Sequence, residues 1–194
     1  MEKLTRTDLM SLEDYSAKRA EFREKVMEHK KARRIELGPH VTLYFEDRLT
    51  IQYQVQEMLR AERIFEPDGI QEELDAYNPL IPDSDTLKAT MMIEFEDAEE
   101  RRAALAQWGG IEDRVWIARA GGDRCYAIAD EDLERRTKER TSAVHFLNFK
   151  LDGGTAQSVR DGGKLAMGVD HELYTETVDP VPEALARSLA NDLR

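Results

Sequence analysis

The sequence predicts an α+β fold with a mainly antiparallel sheet, a long N-terminal helix and further helices packed on one face of the sheet. Apolar residues recur at helical spacing near the N-terminus, and several later segments alternate apolar and polar residues as half-buried strands do. These strand-like segments follow one another with short turns between them, which favours antiparallel pairing over a doubly wound parallel sheet. Because one hydrophobic core can organise 194 residues, we expect a single α+β domain over residues 1–194.

The predicted helices share a polar cap or an initial proline, followed by apolar residues at three- and four-residue spacing. They cover residues 11–34, 47–64, 67–77, 97–109 and 182–193. Ser11, three residues before Asp14, is a typical start for the first and longest helix. Asp47 is a good cap for the second helix. Both long helices are therefore expected in the first third of the chain.

The predicted strands are short runs rich in β-branched, aromatic or alternating apolar residues. They cover residues 35–37, 41–46, 87–95, 114–120, 124–129, 142–151 and 164–170. The Gly121-Gly122 pair between two of these runs is a hairpin signal. Residues 130–140 hold nine charged residues in eleven, which predicts a solvated excursion between two strands.

The composition limits the classes of partner. The chain carries 40 carboxylates against 28 Lys and Arg residues, a net charge of −12, and such a field repels phosphate backbones. The first residues lack the apolar core of a secretion signal, and no stretch approaches the roughly eighteen apolar residues of a membrane span. We therefore expect a cytoplasmic protein with no nucleic-acid partner and no membrane contact.

Cys125 is the sole cysteine of the chain, so an internal disulfide is excluded and a reducing compartment is indicated. A single cysteine also excludes cysteine-only metal sites and iron–sulphur clusters held by this chain alone. None of the four histidines has a second histidine three or four residues away, as a helical metal motif requires. We expect no metal and no cofactor on this chain.

The second predicted helix carries a candidate ligand-binding face. Tyr53, Gln56, Glu57 and Arg60 recur at three- and four-residue spacing, so they share one side of the helix, and Glu57 can pair with Arg60. If this side is sheltered, the cluster is a desolvated polar network that can hold a charged ligand. If it faces water, the pair is an ordinary helix salt bridge worth a few tenths of a kcal/mol.

His40 and Glu94 are candidates for the same site. Each lies on the polar side of its predicted strand, so neighbouring strands can bring the imidazole and the carboxylate together. Such proximity would perturb the pKa values of both groups. A pocket that collects Tyr53, Glu57, Arg60, His40 and Glu94 is therefore one hypothesis for a functional site.

Residues 18–34 hold eight basic residues against three acidic ones, in contrast to the acidic remainder of the chain. The most concentrated part contains Lys30, Lys31, Arg33 and Arg34, which we predict to dock an acidic partner or an anionic ligand by electrostatic attraction. A solvated amphipathic helix explains the same pattern. The segment therefore indicates a partner surface without defining the partner.

Several segments together resemble a known family. They read LEDY at residues 12–15, KKARRIELGPH at 30–40, TLYFEDR at 42–48, QVQEMLRAERI at 54–64, ELDAYNPLIP at 73–82, ATMMIE at 89–94 and SAVHF at 142–146. The match resembles a bacterial family catalogued as domain of unknown function 3501 and is most specific in the first hundred residues. The resemblance implies no activity for any residue. It does imply an association with iron–sulphur and rubrerythrin-type proteins, and hence with redox chemistry or peroxide defence.

Two hypotheses from different classes follow. The first is a cytoplasmic accessory or binding protein that works with an iron–sulphur or rubrerythrin-type redox partner in oxidative-stress defence, with homodimer formation left open. The alternative is a small enzyme or a ligand- or metal-binding protein that uses the Tyr, Glu, Arg and His pocket described above. A nucleic-acid-binding role for residues 18–34 is disfavoured by the charge of the chain.

Overall fold

A computed structural model describes residues 1–83, 85–129 and 141–193. The predicted excursion at residues 130–140 lies outside the described residues. The helices are α1 (Leu12–Lys31), α2 (Arg48–Glu62), α3 (Pro67–Tyr77), α4 (Ala98–Gln107), α5 (Gly153–Arg160) and α6 (Glu183–Asp192). Short 3₁₀ turns lie at Arg6–Asp8, Asn78–Leu80 and Ile111–Arg114.

The caps that the sequence predicts are formed. The Ser11 side chain accepts a hydrogen bond from the backbone N–H of Asp14 and so begins α1. The Asp47 side chain accepts a hydrogen bond from the backbone N–H of Thr50, and the Thr50 hydroxyl accepts one from the backbone N–H of Asp47. Arg63, in the left-handed region at φ 58°, ends α2. Local side-chain chemistry therefore fixes the limits of the two long helices.

The strands are β1 (Arg34–Leu37), β2 (Val41–Phe45), β3 (Thr86–Ile93), β4 (Val115–Arg119), β5 (Cys125–Tyr126), β6 (Ile128–Ala129), β7 (Val144–Lys150), β8 (Leu165–His171) and β9 (Tyr174–Val178). They form two antiparallel sheets, one in the order β1-β2-β3-β7-β6 and the other in the order β5-β4-β8-β9. The α+β prediction is confirmed.

Two details of the strands differ from the prediction. The run at residues 124–129 divides at Ala127, so that β5 joins the four-stranded sheet and β6 joins the five-stranded one. β9 was not predicted, because the turn before it, at Glu172-Leu173, contains no Gly, Asn or Pro to mark a hairpin. Which sheet a strand joins depends on its pairing with strands that are distant in sequence. The alternation of residues within one strand does not predict that pairing.

The main core fills the space between the inner faces of the two sheets and includes residues of α5 and α6. Leu43, Met91, Phe149 and Met167 are fully buried there. A second, smaller core joins α2, α3 and the N-terminal segment around Ile51. None of the helices in the described residues is long and apolar enough to cross a membrane.

Candidate functional site

Two of the side chains predicted on α2, Tyr53 and Glu57, lie at its contact with α1. Glu57 accepts hydrogen bonds from the Tyr15 hydroxyl at 2.6 Å and from two guanidinium nitrogens of Arg19 at 2.8 Å each. Tyr53, one turn earlier on α2, packs near the Phe22 ring with centroids 6.2 Å apart. The predicted polar face of α2 therefore serves to join two helices.

These contacts hold Glu57 in its charged form. Hydrogen bonding from Arg19 lowers the pKa of Glu57 to about 2, assisted by the Tyr15 hydroxyl and by the positive charge of Arg60. Burial and the neighbouring carboxylate raise the pKa of Tyr15. The expected pairing of Glu57 with Arg60 is corrected, because Arg60 is exposed and Arg19 supplies the bidentate contact. A carboxylate with so low a pKa is a poor general base near neutral pH.

His40 and Glu94 lie side by side next to the adjoining ends of β2 and β3, where the N–H of Glu94 donates a hydrogen bond to the backbone oxygen of His40 at 2.8 Å. The contact, however, involves the backbone of Glu94, whose carbonyl oxygen lies 3.1 Å from Nδ1 of His40, while its side chain is exposed. The imidazole stacks on Phe95 with ring centroids 3.9 Å apart. Trp108 and Tyr174 lie at the edge of the same aromatic group. The structure therefore forms an aromatic cluster where an imidazole–carboxylate pair was expected.

The five predicted ligand-binding side chains fall into two groups. Tyr53, Glu57 and Arg60 lie along α2, which follows the C-terminal end of β2, whereas His40 and Glu94 lie at the other end of that strand. In the part of the chain that the structure describes, no group of three His, Cys, Asp or Glu side chains is placed to hold a metal ion. The structure does not bring the five side chains into one pocket.

The four cations predicted to bind a partner have different surroundings. Lys30 is half-buried, while Lys31 and Arg34 are exposed and form ion pairs with neighbouring glutamates. Arg33 is only 2% exposed. The prediction for Arg33 is therefore corrected, because this side chain points into the protein and is bound there.

Arg33 connects β2 with α6. Its guanidinium contacts both carboxylate oxygens of Asp192, at 2.5 and 3.1 Å, and the hydroxyl of Ser188 at 2.8 Å. It also donates to the backbone oxygens of Phe45 and Glu46, at 2.9 and 3.0 Å. A buried cation needs such a set of acceptors, since an unpaired charge in the interior is very costly.

The polar network continues into the start of α2. A carboxylate oxygen of Asp47 lies 3.4 Å from Arg33 and 2.5 Å from Nε2 of His29. Glu46, also buried, accepts hydrogen bonds from the hydroxyls of Thr50 and Thr90 at 2.5 and 2.7 Å. We call Arg33, Asp192, Asp47, Glu46 and His29 the buried ion network.

The charged form of Asp192 is disfavoured by its surroundings. Burial raises its pKa from 3.8 to about 6, although the hydrogen bonds and the charge of Arg33 act in the opposite direction. The nearby carboxylate of Asp47 adds to the increase. Desolvation and repulsion therefore exceed the attraction of the single arginine.

A different cluster lies on the outer face of the four-stranded sheet. Arg124 stacks over Trp116 with its guanidinium carbon 4.2 Å from the ring centroid, and it contacts Asp170 at 2.7 Å. Tyr126 donates a hydrogen bond to the same carboxylate at 2.6 Å. Arg114 lies 3.0 Å from Asp170 and over the Tyr126 ring. We call these five residues the Arg–Trp surface.

The Arg–Trp surface is exposed yet ordered by its own contacts. Arg114, Arg124 and Tyr126 are exposed, whereas Trp116 is almost fully covered by its neighbours. Gly168 permits this arrangement, because a Cβ there would come within 2.5 Å of the Trp116 ring. The Trp116 indole N–H is buried without a hydrogen-bond partner in the described residues. These side chains are largely fixed before any partner arrives.

Cys125 points away from the Arg–Trp surface and packs against the main core. Its sulphur lies 3.1 Å from a carboxylate oxygen of Asp152, the cap of α5. Burial raises the pKa of the thiol, and the adjacent carboxylate adds to the increase. The thiol is therefore protonated near neutral pH and is a weak nucleophile.

The Arg–Trp surface was not predicted from the sequence. Arg114 and Trp116 are two residues apart, as are Arg124 and Tyr126, so strand alternation places each pair on one face. That signal was present in the sequence. The sequence does not show the register that sets Trp116 opposite both Tyr126 and Gly168, because this register depends on the pairing of three strands.

Comparisons with known proteins give the following relationships. The sequence model of a family described as "Protein of unknown function (DUF3501)" matches residues 3–193. The chain is also similar to a protein of unknown function from Burkholderia pseudomallei K96243, known from a crystal structure, with 48% sequence identity and a TM-score of 0.93 over 100% of both chains. The comparison with curated proteins gives no match.

Proposed function

This chain belongs to the DUF3501 family of proteins of unknown function, and we propose that it is a cytoplasmic accessory protein that binds a redox protein partner. The observation that carries the proposal is the Arg–Trp surface. Its exposed residues are two arginines and a tyrosine, arranged around a tryptophan and one carboxylate. Trp, Tyr and Arg are the residue types that most often supply the binding energy of protein interfaces.

The order of this surface supports a binding role. Immobilising flexible side chains is one of the main costs of forming a protein interface. Here the contacts with Asp170 and Trp116 hold both guanidinium groups in place in the free protein. Within the Arg–Trp surface itself, two arginines face one aspartate, in a chain of net charge −12. The preferred partner therefore presents an acidic surface.

The redox character of the partner is proposed from the family resemblance. That resemblance implies an association with iron–sulphur and rubrerythrin-type proteins and with peroxide defence. An accessory protein of this kind contributes binding and orientation, while the partner contributes the redox centre.

Affinity capture from native cells tests the proposal. The bait proteins are the wild type, the double variant Arg114→Ala/Arg124→Ala, and the control Arg101→Ala/Arg102→Ala, which removes the same charge from exposed positions of α4. We expect the wild type and the control to retain an iron–sulphur or di-iron protein, identified by mass spectrometry and by its visible absorption. The double variant should retain at least about tenfold less, since interface arginines are frequent hot spots.

Two results would contradict the proposal. One is that the wild type retains no iron protein. The other is that the Arg114→Ala/Arg124→Ala variant, shown by circular dichroism to be folded, retains as much of it as the Arg101→Ala/Arg102→Ala control.

A further inference from the structure

A cleft of about 610 Å³ lies between the N-terminal segment and the connection from α2 to α3. Its walls are mainly apolar and are formed by Leu9, Leu12, Leu59, Ile64, Phe65 and Ile70. Phe65 is 69% exposed, the largest value among the exposed large apolar side chains of the described residues. This volume is within the usual range for small-molecule sites, roughly 300–1,000 Å³.

The cleft exists because the second core is incompletely covered. Leu9, Leu12, Ile64 and Ile70 pack against that core but stay partly accessible. The neighbouring apolar side chain, Phe65, does not fold back to cover them. Apolar surface is therefore left facing an open space, and its removal from water by a ligand is favourable.

The walls of the cleft are held by specific hydrogen bonds. The fully buried Gln56 accepts from the backbone N–H of Met10 at 2.6 Å, and Gln52 donates to the backbone oxygen of Asp8 at 2.6 Å. Asn78 forms two hydrogen bonds with the backbone of Leu4, at 2.8 and 2.9 Å. The N-terminal segment is thus fixed on α2 and on the 3₁₀ turn that follows α3. A preformed cleft lowers the cost of ordering on ligand binding.

Arg6 is the charged residue among those that line the cleft. Within the described residues no carboxylate lies at ion-pair distance from its guanidinium, and the adjacent Asp8 is engaged by Arg48 and Thr5. The cleft therefore offers an apolar body with one available cation at its wall. Guanidinium groups bind carboxylates through two parallel hydrogen bonds.

We propose that this cleft binds a small amphipathic monocarboxylate, a molecule with a hydrocarbon body and one carboxylate head. The hydrocarbon contacts the leucine, isoleucine and phenylalanine walls, and the carboxylate pairs with Arg6. This site is separate from the Arg–Trp surface, so it goes beyond the proposed function and does not depend on it.

An NMR titration of the full chain with decanoate, below the concentration at which decanoate forms micelles, tests the site. We expect saturable binding at one site, with chemical-shift changes centred on Leu9, Ile64 and Ile70. Decanol, which has the same chain without the charge, should bind the wild type about tenfold more weakly, because a hydrogen bond to a charged group is lost.

Two variants locate the head and the body of the ligand. Arg6→Gln should weaken decanoate binding about tenfold and leave decanol binding unchanged. Thr7→Trp, at an exposed position on the cleft wall, should abolish the binding of both by filling the space. Arg101→Gln on α4 is the charge control and should behave as the wild type.

The proposal is overturned if decanoate produces no shift changes at the lining residues. It is also overturned if decanoate and decanol bind equally well, or if Arg6→Gln binds decanoate as tightly as the wild type. In the latter cases the cleft recognises apolar surface alone, as a groove for the apolar side chains of a protein partner would.

Discussion

Arg33 lies where the end of β2, the start of α2 and the end of α6 meet. One guanidinium faces the carboxylates of Asp192 and Asp47, while the Glu46 carboxylate is bonded to the hydroxyl of Thr50. His29 is the second side chain of the buried ion network that can carry a positive charge. Because negative groups outnumber the permanent positive one, the network does not gain stability from every ion it contains.

The Asp192→Asn substitution tests this charge balance. The folded protein raises the pKa of Asp192 from 3.8 to about 6, so the folded state binds a proton more tightly than the unfolded state. The favourable contribution of this group is therefore fully present below about pH 4 and is lost as the pH rises toward 6. Asparagine resembles the protonated acid. We expect Asp192→Asn to be no less stable than the wild type at pH 7.5.

Urea denaturation at pH 4.5, 6.0 and 7.5 measures the effect. Relative to the wild type, the free energy of unfolding of Asp192→Asn should increase with pH over this range, by a total of about 2 kcal/mol. A variant that is less stable than the wild type by more than about 2 kcal/mol at pH 7.5 would show that the ion pair itself stabilises the fold.

The burial of Arg33 shows a limit of sequence reasoning at single residues. In the run from Lys30 to Arg34, every cation has the same intrinsic preference for solvent. What distinguishes Arg33 is an aspartate located 159 positions later. No local pattern contains that contact, whereas the caps at Ser11 and Asp47 depend on residues three positions away and were predicted.

At the scale of elements, α1 is held to α2 largely by polar and aromatic contacts. Tyr15 and Val26 are the residues of this 20-residue helix that are fully buried. The Arg19–Glu57 pair and the Phe22–Tyr53 ring contact join the two helices. A helix that buries so little apolar surface depends more than usual on such pairs.

A double-mutant cycle with Arg19→Gln and Glu57→Gln measures the contribution of the pair. Since both side chains are partly exposed, at 34% and 26%, water screens the pair, and we expect a small favourable coupling energy at pH 7. The low pKa of Glu57, about 2, means that this contribution is present above about pH 4.5 and is lost as the pH falls toward 2.

Chemical denaturation at pH 7, 4 and 3 provides the measurement. The coupling energy should decrease at the lowest pH and should also decrease in high salt. A coupling energy near zero at pH 7 would mean that packing alone, including Phe22 against Tyr53, holds α1 in place.

The elements themselves were largely predictable, and their arrangement was not. As the sequence predicts, α3 begins at Pro67 and ends at Tyr77. Its start was predictable because proline at the first helical position is a local signal. The polar face of α2 was also predicted. The cation that pairs with Glu57 was not predicted, since Arg19 on α1 and Arg60 on α2 are equally suitable partners in the sequence.

At the scale of the whole molecule, the buried ion network joins the first third of the chain to the last helix. Leu185 and Leu189 of α6 lie in the main core, and Asp192 extends from the same helix to Arg33. The final turn is also bound through Arg160, which donates to the backbone oxygen of Leu193 at 3.1 Å. The contacts of Arg33 and Arg160 therefore hold the C-terminal segment against parts of the chain that are distant in sequence.

Arg33→Met tests this connection. Removal of the cation leaves Asp192 and Asp47 buried and close together, so we expect a loss of about 3–5 kcal/mol in the free energy of unfolding at pH 7.5. Arg187→Met on the same helix is the control. Arg187 and its partner Glu183 are exposed, and that loss should stay within about 0.5 kcal/mol.

Limited proteolysis adds a positional measurement to the unfolding curves. In Arg33→Met, cleavage near the C-terminal helix should become faster than cleavage elsewhere in the folded protein. Equal stability of the two variants would show that the apolar residues of α6 hold it without the ion network.

Ala127 joins β5 of one sheet directly to β6 of the other, and its N–H is bonded to the oxygen of Val115 at 2.8 Å. Tyr126, on one side of it, belongs to the Arg–Trp surface, and Ile128, on the other side, pairs with Asn148 in the five-stranded sheet. One residue therefore separates the Arg–Trp surface from the edge strand of the five-stranded sheet. A partner bound to Tyr126 lies directly beside the crossing of the chain from one sheet to the other.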